Sequence, residues 1–262
     1  MDWSLILLRV ALLSYILGFL IAFIPRRAGG AAPVRLTPWL AALGLAAHSG
    51  ALVALGVRLQ RCPLGTLPEV LTAVAWAAVG VYLIAFWRYR LEVLHVIILP
   101  LVLVLLFISG LLPQELLPVS DPMRVSLLRL HISVVILSVA GLCITFAASL
   151  LYLLIDRALK AKRPARFVLK LPSLERCDRL GQSSLMWAFP LLTLGIISGA
   201  LYSASRNGTF WTWDRQETLA VLAWGILGVV VVARLGWGWR GRKAAILTIV
   251  GFTAVILRML GY

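Results

Sequence analysis

Long apolar runs of about 20 residues, each closed by a short polar segment, organise this chain. Runs of that length match the hydrocarbon thickness of a bilayer at about 1.5 Å of helix rise per residue. They predict eight membrane-spanning helices, over residues 3–24, 36–57, 67–87, 92–112, 126–155, 183–204, 217–235 and 244–261. The helical pattern of the fifth run continues past Asp156 to about Lys160, and Pro164 stops it. That makes about 50 Å of helix, so its end is expected to project beyond the membrane. Small residues inside the runs, such as Gly44, Ala47 and Gly50 or Gly195, Ser198 and Gly199, are read as points of close helix approach. Pro100 and Pro190 predict local kinks. The expected fold is an all-α integral membrane protein, a bundle of about eight transmembrane helices in a single domain, residues 1–262.

The polar segments differ sharply in charge. Arg26, Arg27 and Arg35 follow the first run, and Arg88 and Arg90 the third. Arg157, Lys160, Lys162, Arg163, Arg166, Lys170, Arg176 and Arg179 follow the fifth, and Arg234, Arg240, Arg242 and Lys243 the seventh. The opposite face carries only Arg58, Arg61, Arg124, Arg129, Arg206, Arg215 and Arg258. By the positive-inside rule the first face is cytoplasmic, which puts both termini and the aromatic loop 205–216 outside. The basic segment 157–181 is expected to return along the membrane surface, where it meets anionic lipid. Met1-Asp2-Trp3 lacks a basic leader, so the first helix is expected to stay in place.

Composition closes off other classes. Hydrophobic residues make up 61% of the chain and charged residues 13%, against about a quarter charged in soluble proteins. The mean hydropathy is +0.98. A net charge of +15 would suggest nucleic acid in a soluble protein, but here it is a topology signal, and the expected partner is the lipid bilayer. Cys62, Cys143 and Cys177 fall in a loop, a span and an opposite-side loop, so no pair is expected to close, and no Cys-x-x-Cys-His is present. No internal repeat suggests a transporter, and no nucleophile-base set or metal cluster suggests an enzyme.

Ionisable residues inside spans are costly and are therefore candidates for function. His95 lies near Glu92, Arg88 and Arg90 and reads as an interface histidine. His48, mid-span, suits either a hydrogen bond to a neighbouring helix or a ligand or relay role. His131 lies one to two turns inside the outer end of its span, with Arg124 and Arg129 on the same end. The loop Asn207-Gly208-Thr209-Phe210-Trp211-Thr212-Trp213-Asp214 is on that side too. Its two tryptophans beside one aspartate suit either a membrane interface or a flat ligand. A neutral imidazole can ligate haem iron, arginines can pair with propionates, and indole rings can pack on the macrocycle. A helix-end histidine with an interfacial aromatic belt accounts for the same spacing.

The motifs themselves carry a resemblance. Phe189-Pro190-Leu191-Leu192-Thr193-Leu194-Gly195-Ile196-Ile197-Ser198-Gly199, then Trp211-Thr212-Trp213-Asp214, Glu217-Thr218, Trp224, Gly238-Trp239-Arg240-Gly241-Arg242-Lys243-Ala244-Ala245 and Gly251-Phe252, resembles the cytochrome c assembly proteins with a tryptophan-rich external loop. These are the CcsA and CcmC type proteins, and by length and span count especially the HemX-like (YpjD-like) branch. The likeness extends upstream through Leu171-Pro172-Ser173-Leu174-Glu175 and Leu130-His131-Ile132-Ser133, so it covers about residues 65 to 262.

The resemblance implies a bacterial inner (plasma) membrane protein that handles haem b, held transiently or substoichiometrically on the outer face for cytochrome c assembly. His131 matches the first external haem histidine, and Trp211, Trp213 and Asp214 match the core of the loop; Glu217 matches the acidic residue after it. Several positions depart from the family pattern. Asn207 replaces the loop's opening tryptophan, and Arg215-Gln216 replaces the usual Pro-Lys. Val232 stands where the family has a membrane histidine, and Gly261-Tyr262 precedes the position of a second external histidine. The expected ligand set is therefore reduced to His131. The alternative reading implied by the HemX branch is a non-catalytic regulator or scaffold of tetrapyrrole synthesis, which would meet a soluble partner through residues 157–181. Partners expected on these grounds are haem and another cytochrome c assembly or tetrapyrrole-synthesis protein.

Overall fold

A computed structural model describes residues 2–21, 36–89, 91–113, 122–161 and 172–260. Arg26, Arg27, Arg35, Arg90, Lys162, Arg163, Arg166, Lys170 and Tyr262 lie outside the described residues, as do the side chains of Glu92 and Arg124. Among the described residues eight α-helices follow in order: α1 (Trp3–Ile21), α2 (Thr37–Leu59), α3 (Leu67–Tyr89), α4 (His95–Leu111), α5 (Pro122–Lys160), α6 (Leu174–Asn207), α7 (Arg215–Gly236) and α8 (Arg242–Leu260). Among the described residues there is no strand. Helix is what a bilayer demands, because each backbone N–H and C=O must find its partner within the segment. Six of these helices, α1, α2, α3, α5, α6 and α7, are long and apolar enough to cross a membrane, and α4 is a shorter apolar helix. The protein is an all-helical integral membrane bundle, as the apolar runs predict.

Three boundaries differ from expectation. The fourth run does not form one helix: Glu92–Leu94 is a 3-10 turn, and α4 begins only at His95, whose side chain is buried. The fifth helix begins at Pro122, four residues early, because proline suits the first turn of a helix, where its missing N–H costs nothing. The sixth begins at Leu174 rather than 183. Ser173 caps it by accepting a hydrogen bond from the Arg176 N–H at 3.3 Å, and Cys177, Leu180, Gly181 and Ser184 then bury one face of the extension. Residues 174–181 are thus a helix continuing α6 rather than a surface return.

Contacts divide the chain into two compact units, residues 1–117 and 118–262. In the first, α1 packs on α2, and α3 on α4. Tyr15 lies against Gly44, where a Cβ would stand 2.4 Å from the ring. The end holding Asp2 and Arg58 is tied by their ion pair, and the Arg61 guanidinium grips buried Glu69 with two hydrogen bonds of 2.8 and 2.7 Å.

In the second unit α5 and α6 form a long antiparallel hairpin, with α8 on α5 and α7 between α6 and α8. Small residues set the α5–α6 spacing. A Cβ on Gly141 would fall 2.3 Å from the Trp187 ring, and one on Gly195 3.0 Å from Val135. Ser138 donates to the Ala188 carbonyl across the same seam at 3.0 Å. Antiparallel packing gathers the end of α5, the start of α6, the end of α7 and the start of α8 at one end, and the aromatic loop and His131 toward the other.

Candidate functional site

His131 sits on α5, nine residues from its start, about two and a half turns in and so deeper than the one to two turns expected. Its ring faces the small-residue stripe of α6. A Cβ on Gly199 would lie 3.0 Å from Cε1, so only glycine lets the imidazole approach this closely. Nδ1 stands 2.8 Å from the Gly195 carbonyl oxygen and 3.2 Å from Ser198 Oγ. A carbonyl can only accept, so Nδ1 carries the proton and donates it. In the neutral ring the lone pair is then on Nε2. A backbone carbonyl fixing one ring nitrogen so that the other can ligate is the usual support of a metal-binding histidine. Pattern reading assigned Gly195, Ser198 and Gly199 to packing alone; the carbonyl partner follows only from the α5–α6 register.

The aromatic loop follows α6, whose last turn closes on Gly208 in the left-handed conformation (φ 75°). Asp214 is the N-cap of α7, its Oδ1 accepting from the Glu217 N–H at 2.7 Å. Glu217 reaches back, and its Oε2 accepts from the N–H groups of Thr212 (2.7 Å) and Trp213 (2.9 Å). This Asp-x-x-Glu arrangement is a variant of the capping box, and it holds Trp213 at a φ of 56°, a strained conformation for a bulky residue. Trp213 is 75% exposed and Phe210 64%, with Trp211 packed edge-on to Trp213 at 5.8 Å. Trp211 is half-buried, and its indole N–H is shielded from solvent without an acceptor. The one carboxylate that sequence reading offered to a ligand, Asp214, is thus already engaged in capping.

The remaining candidates are distributed more widely. Arg129 is exposed and, two residues from His131, is turned about 200° round the helix from it. Arg124 lies seven residues before His131 and so shares its helical stripe by register. Arg258, one turn from the end of α8, is close enough to act electrostatically on His131, which the chain order of α5 and α8 does not reveal. Gly199 stands eight residues before the end of α6, so about 12 Å of helix rise separates the level of His131 from the start of the loop. Among the described residues no three His, Cys, Asp or Glu side chains gather into a metal site, and His131 stands outside any such cluster. His48 is in the other unit, fully buried, with Nδ1 3.4 Å from the Tyr15 hydroxyl and Nε2 without a partner. Val232 is exposed on α7.

A family model described as Cytochrome C assembly protein matches residues 64–262, a span that contains α3 to α8, His131 and the whole aromatic loop. The chain belongs to the cytochrome c assembly protein family. Among similar proteins, the cytochrome c biogenesis protein CcsA of Chlamydomonas reinhardtii is 33% identical over 208 residues, 76% of this chain and 57% of the algal protein. CcsA of Guillardia theta is 30% identical over 218 residues, covering 76% and 72%. CcsA of Microcystis aeruginosa is 28% identical over 287 residues, covering 89% and 88%. The chain spans little more than half of the algal relative's length. A solved structure, Cytochrome c Heme Lyase CcmF, shares the fold with a TM-score of 0.73 at 15% identity, over 99% of this chain and 47% of that one.

Proposed function

We propose that this protein handles haem for cytochrome c assembly at the bacterial inner membrane, presenting it on the outer face through His131 and the aromatic loop. The observation that carries the reading is the hydrogen bond from His131 Nδ1 to the Gly195 carbonyl, which leaves Nε2 as the ring's lone-pair nitrogen at the loop's end of the helix hairpin. The residues suit haem in two further respects. Trp213 and Phe210 offer exposed aromatic faces, and the shielded Trp211 indole N–H lacks an acceptor. Bound haem would supply an iron open to axial ligation. What the chain itself does is hold and orient: α6 sets the imidazole, and the Asp214–Glu217 cap sets the rings.

His131 would hold the haem through Nε2, and any further ligand would come from Tyr262, Met259, a partner chain or water. Protein purified from haem-replete membranes is expected to show a Soret band. His131→Ala should lose most of it, and His131→Gly should regain it with added imidazole. A Soret band unchanged in His131→Ala would overturn the reading.

A further inference from the structure

At the end of the second unit opposite the aromatic loop, α7 turns into α8 through Trp237-Gly238-Trp239-Arg240-Gly241. Arg234, on the last turn of α7, is 3% exposed at its side chain and lies 3.1 Å from Asp178 Oδ1 on α6. Asp178 also accepts from the Gly241 N–H at 3.4 Å, and Gly241 in turn packs on the Tyr152 hydroxyl of α5. The turn is therefore pinned to two other helices. Nη1 is the atom that faces Asp178, and Nε has no hydrogen-bond partner although it is shielded from solvent. A buried guanidinium whose Nε has no acceptor is expensive, and Asp178 alone does not satisfy it.

The surface around this group is cationic and aromatic. Arg240, Arg242 and Lys243 are exposed, with no ion pair among the described residues. The nearby acids are engaged: Asp156 with Lys160, Glu175 with Arg179, and Asp178 with Arg234. Trp237 is 71% exposed, and Lys243 Nζ stands 5.9 Å from the Trp239 ring centre. Exposed tryptophan beside Lys and Arg at the end of a spanning helix marks headgroup depth. A phosphate oxygen accepts several N–H donors at once, and guanidinium is the side chain best shaped to provide them.

We propose that the α7–α8 turn is a binding site for the phosphate headgroup of an anionic phospholipid, with Arg234 as the recessed donor, Arg240, Arg242 and Lys243 as the charged rim, and Trp237 and Trp239 as the interfacial anchors. The site is independent of haem handling and lies at the other end of the same helices.

The test uses full-length protein in phosphatidylcholine nanodiscs doped with phosphatidylglycerol, with bound lipid read by native mass spectrometry. Wild type should retain phosphatidylglycerol over phosphatidylcholine. R240Q/R242Q/K243Q should cut that preference by about fivefold or more, the effect of losing at least one surface cation. Arg234→Lys, which keeps the charge and loses the fork, should also lower it. R157Q/K160Q/R176Q changes the charge equally at the same end and should leave most of the preference intact. An equal loss in this second triple variant would show a general charge effect and overturn the site. Displacement of the lipid by inorganic phosphate would make it a free-anion site and overturn the lipid assignment. Wild type without a preference would overturn it outright.

Discussion

Substituting alanine for Gly199 separates the histidine's orientation from the stability of the bundle. In mid-helix, alanine is favoured over glycine by up to about 1 kcal/mol. Against this, the new Cβ would stand 3.0 Å from His131 Cε1 and 3.3 Å from Nδ1, tighter than the 3.4–4 Å of ordinary contact. The ring must withdraw by a few tenths of an ångström. The Nδ1 hydrogen bond to Gly195, now 2.8 Å, would stretch toward about 3.2 Å, with a loss of about 1 kcal/mol. The two effects offset each other in stability, so the unfolding temperature in detergent should hardly move. Haem uptake should not show this cancellation, because only the ligand's orientation enters it: a loss of about 1 kcal/mol corresponds to about fivefold weaker binding in a Soret titration. Gly225→Ala is the control, since nothing lies within 4 Å of its added Cβ; it should stabilise slightly and leave haem uptake unchanged. Wild-type haem affinity in Gly199→Ala would refute the coupling of the α5–α6 seam to ligation, as would an equal loss in Gly225→Ala.

Other substitutions test the loop, the seam and the first helix. Asp214→Asn should preserve the cap of α7, whereas Asp214→Ala should cost about 1 kcal/mol and loosen Trp211 and Trp213, read as faster hydrogen exchange at residues 212–217. If Asn and Ala behave alike, the carboxylate's charge rather than its capping bond is what the loop uses. Gly141→Ala should destabilise by about 1–3 kcal/mol in thermal unfolding, because its Cβ would meet the Trp187 ring at 2.3 Å. At the start of α1 the Ser4 hydroxyl, followed by the Arg58 charge, holds the Asp2 carboxyl below its ordinary value of 3.8. A lowered folded-state value contributes stability above pH 3.8 that disappears as pH falls through the folded value. Exchange protection of the first turn of α1 should therefore hold at pH 5 to 7, roughly, and fade on acidification, and Asp2→Asn should abolish that dependence.

The fold was legible in the chain to an unusual degree because the bilayer imposes a length and a composition on each span. Each of the eight predicted runs contains a helix, and six of these helices are long and apolar enough to cross a membrane. The boundaries that moved did so for local reasons that hydropathy does not register, such as the Ser173 cap that starts α6 nine residues early or the 3-10 turn before His95. The site was half legible. His131, Trp211, Trp213 and Asp214 stand out as residue types in a recognisable order, and their motif places the chain in its family.

The sequence by itself determined that this is a helical membrane protein and which residues to examine at its polar ends, because hydrophobicity, charge asymmetry and motif spacing are properties of linear order. Only the tertiary structure decided what those residues do to one another. Which ring nitrogen of His131 carries the proton depends on a carbonyl 64 residues away, and the approach of that ring to α6 depends on Gly199 facing it. Those facts arise from helix register and packing distance, which no local pattern encodes.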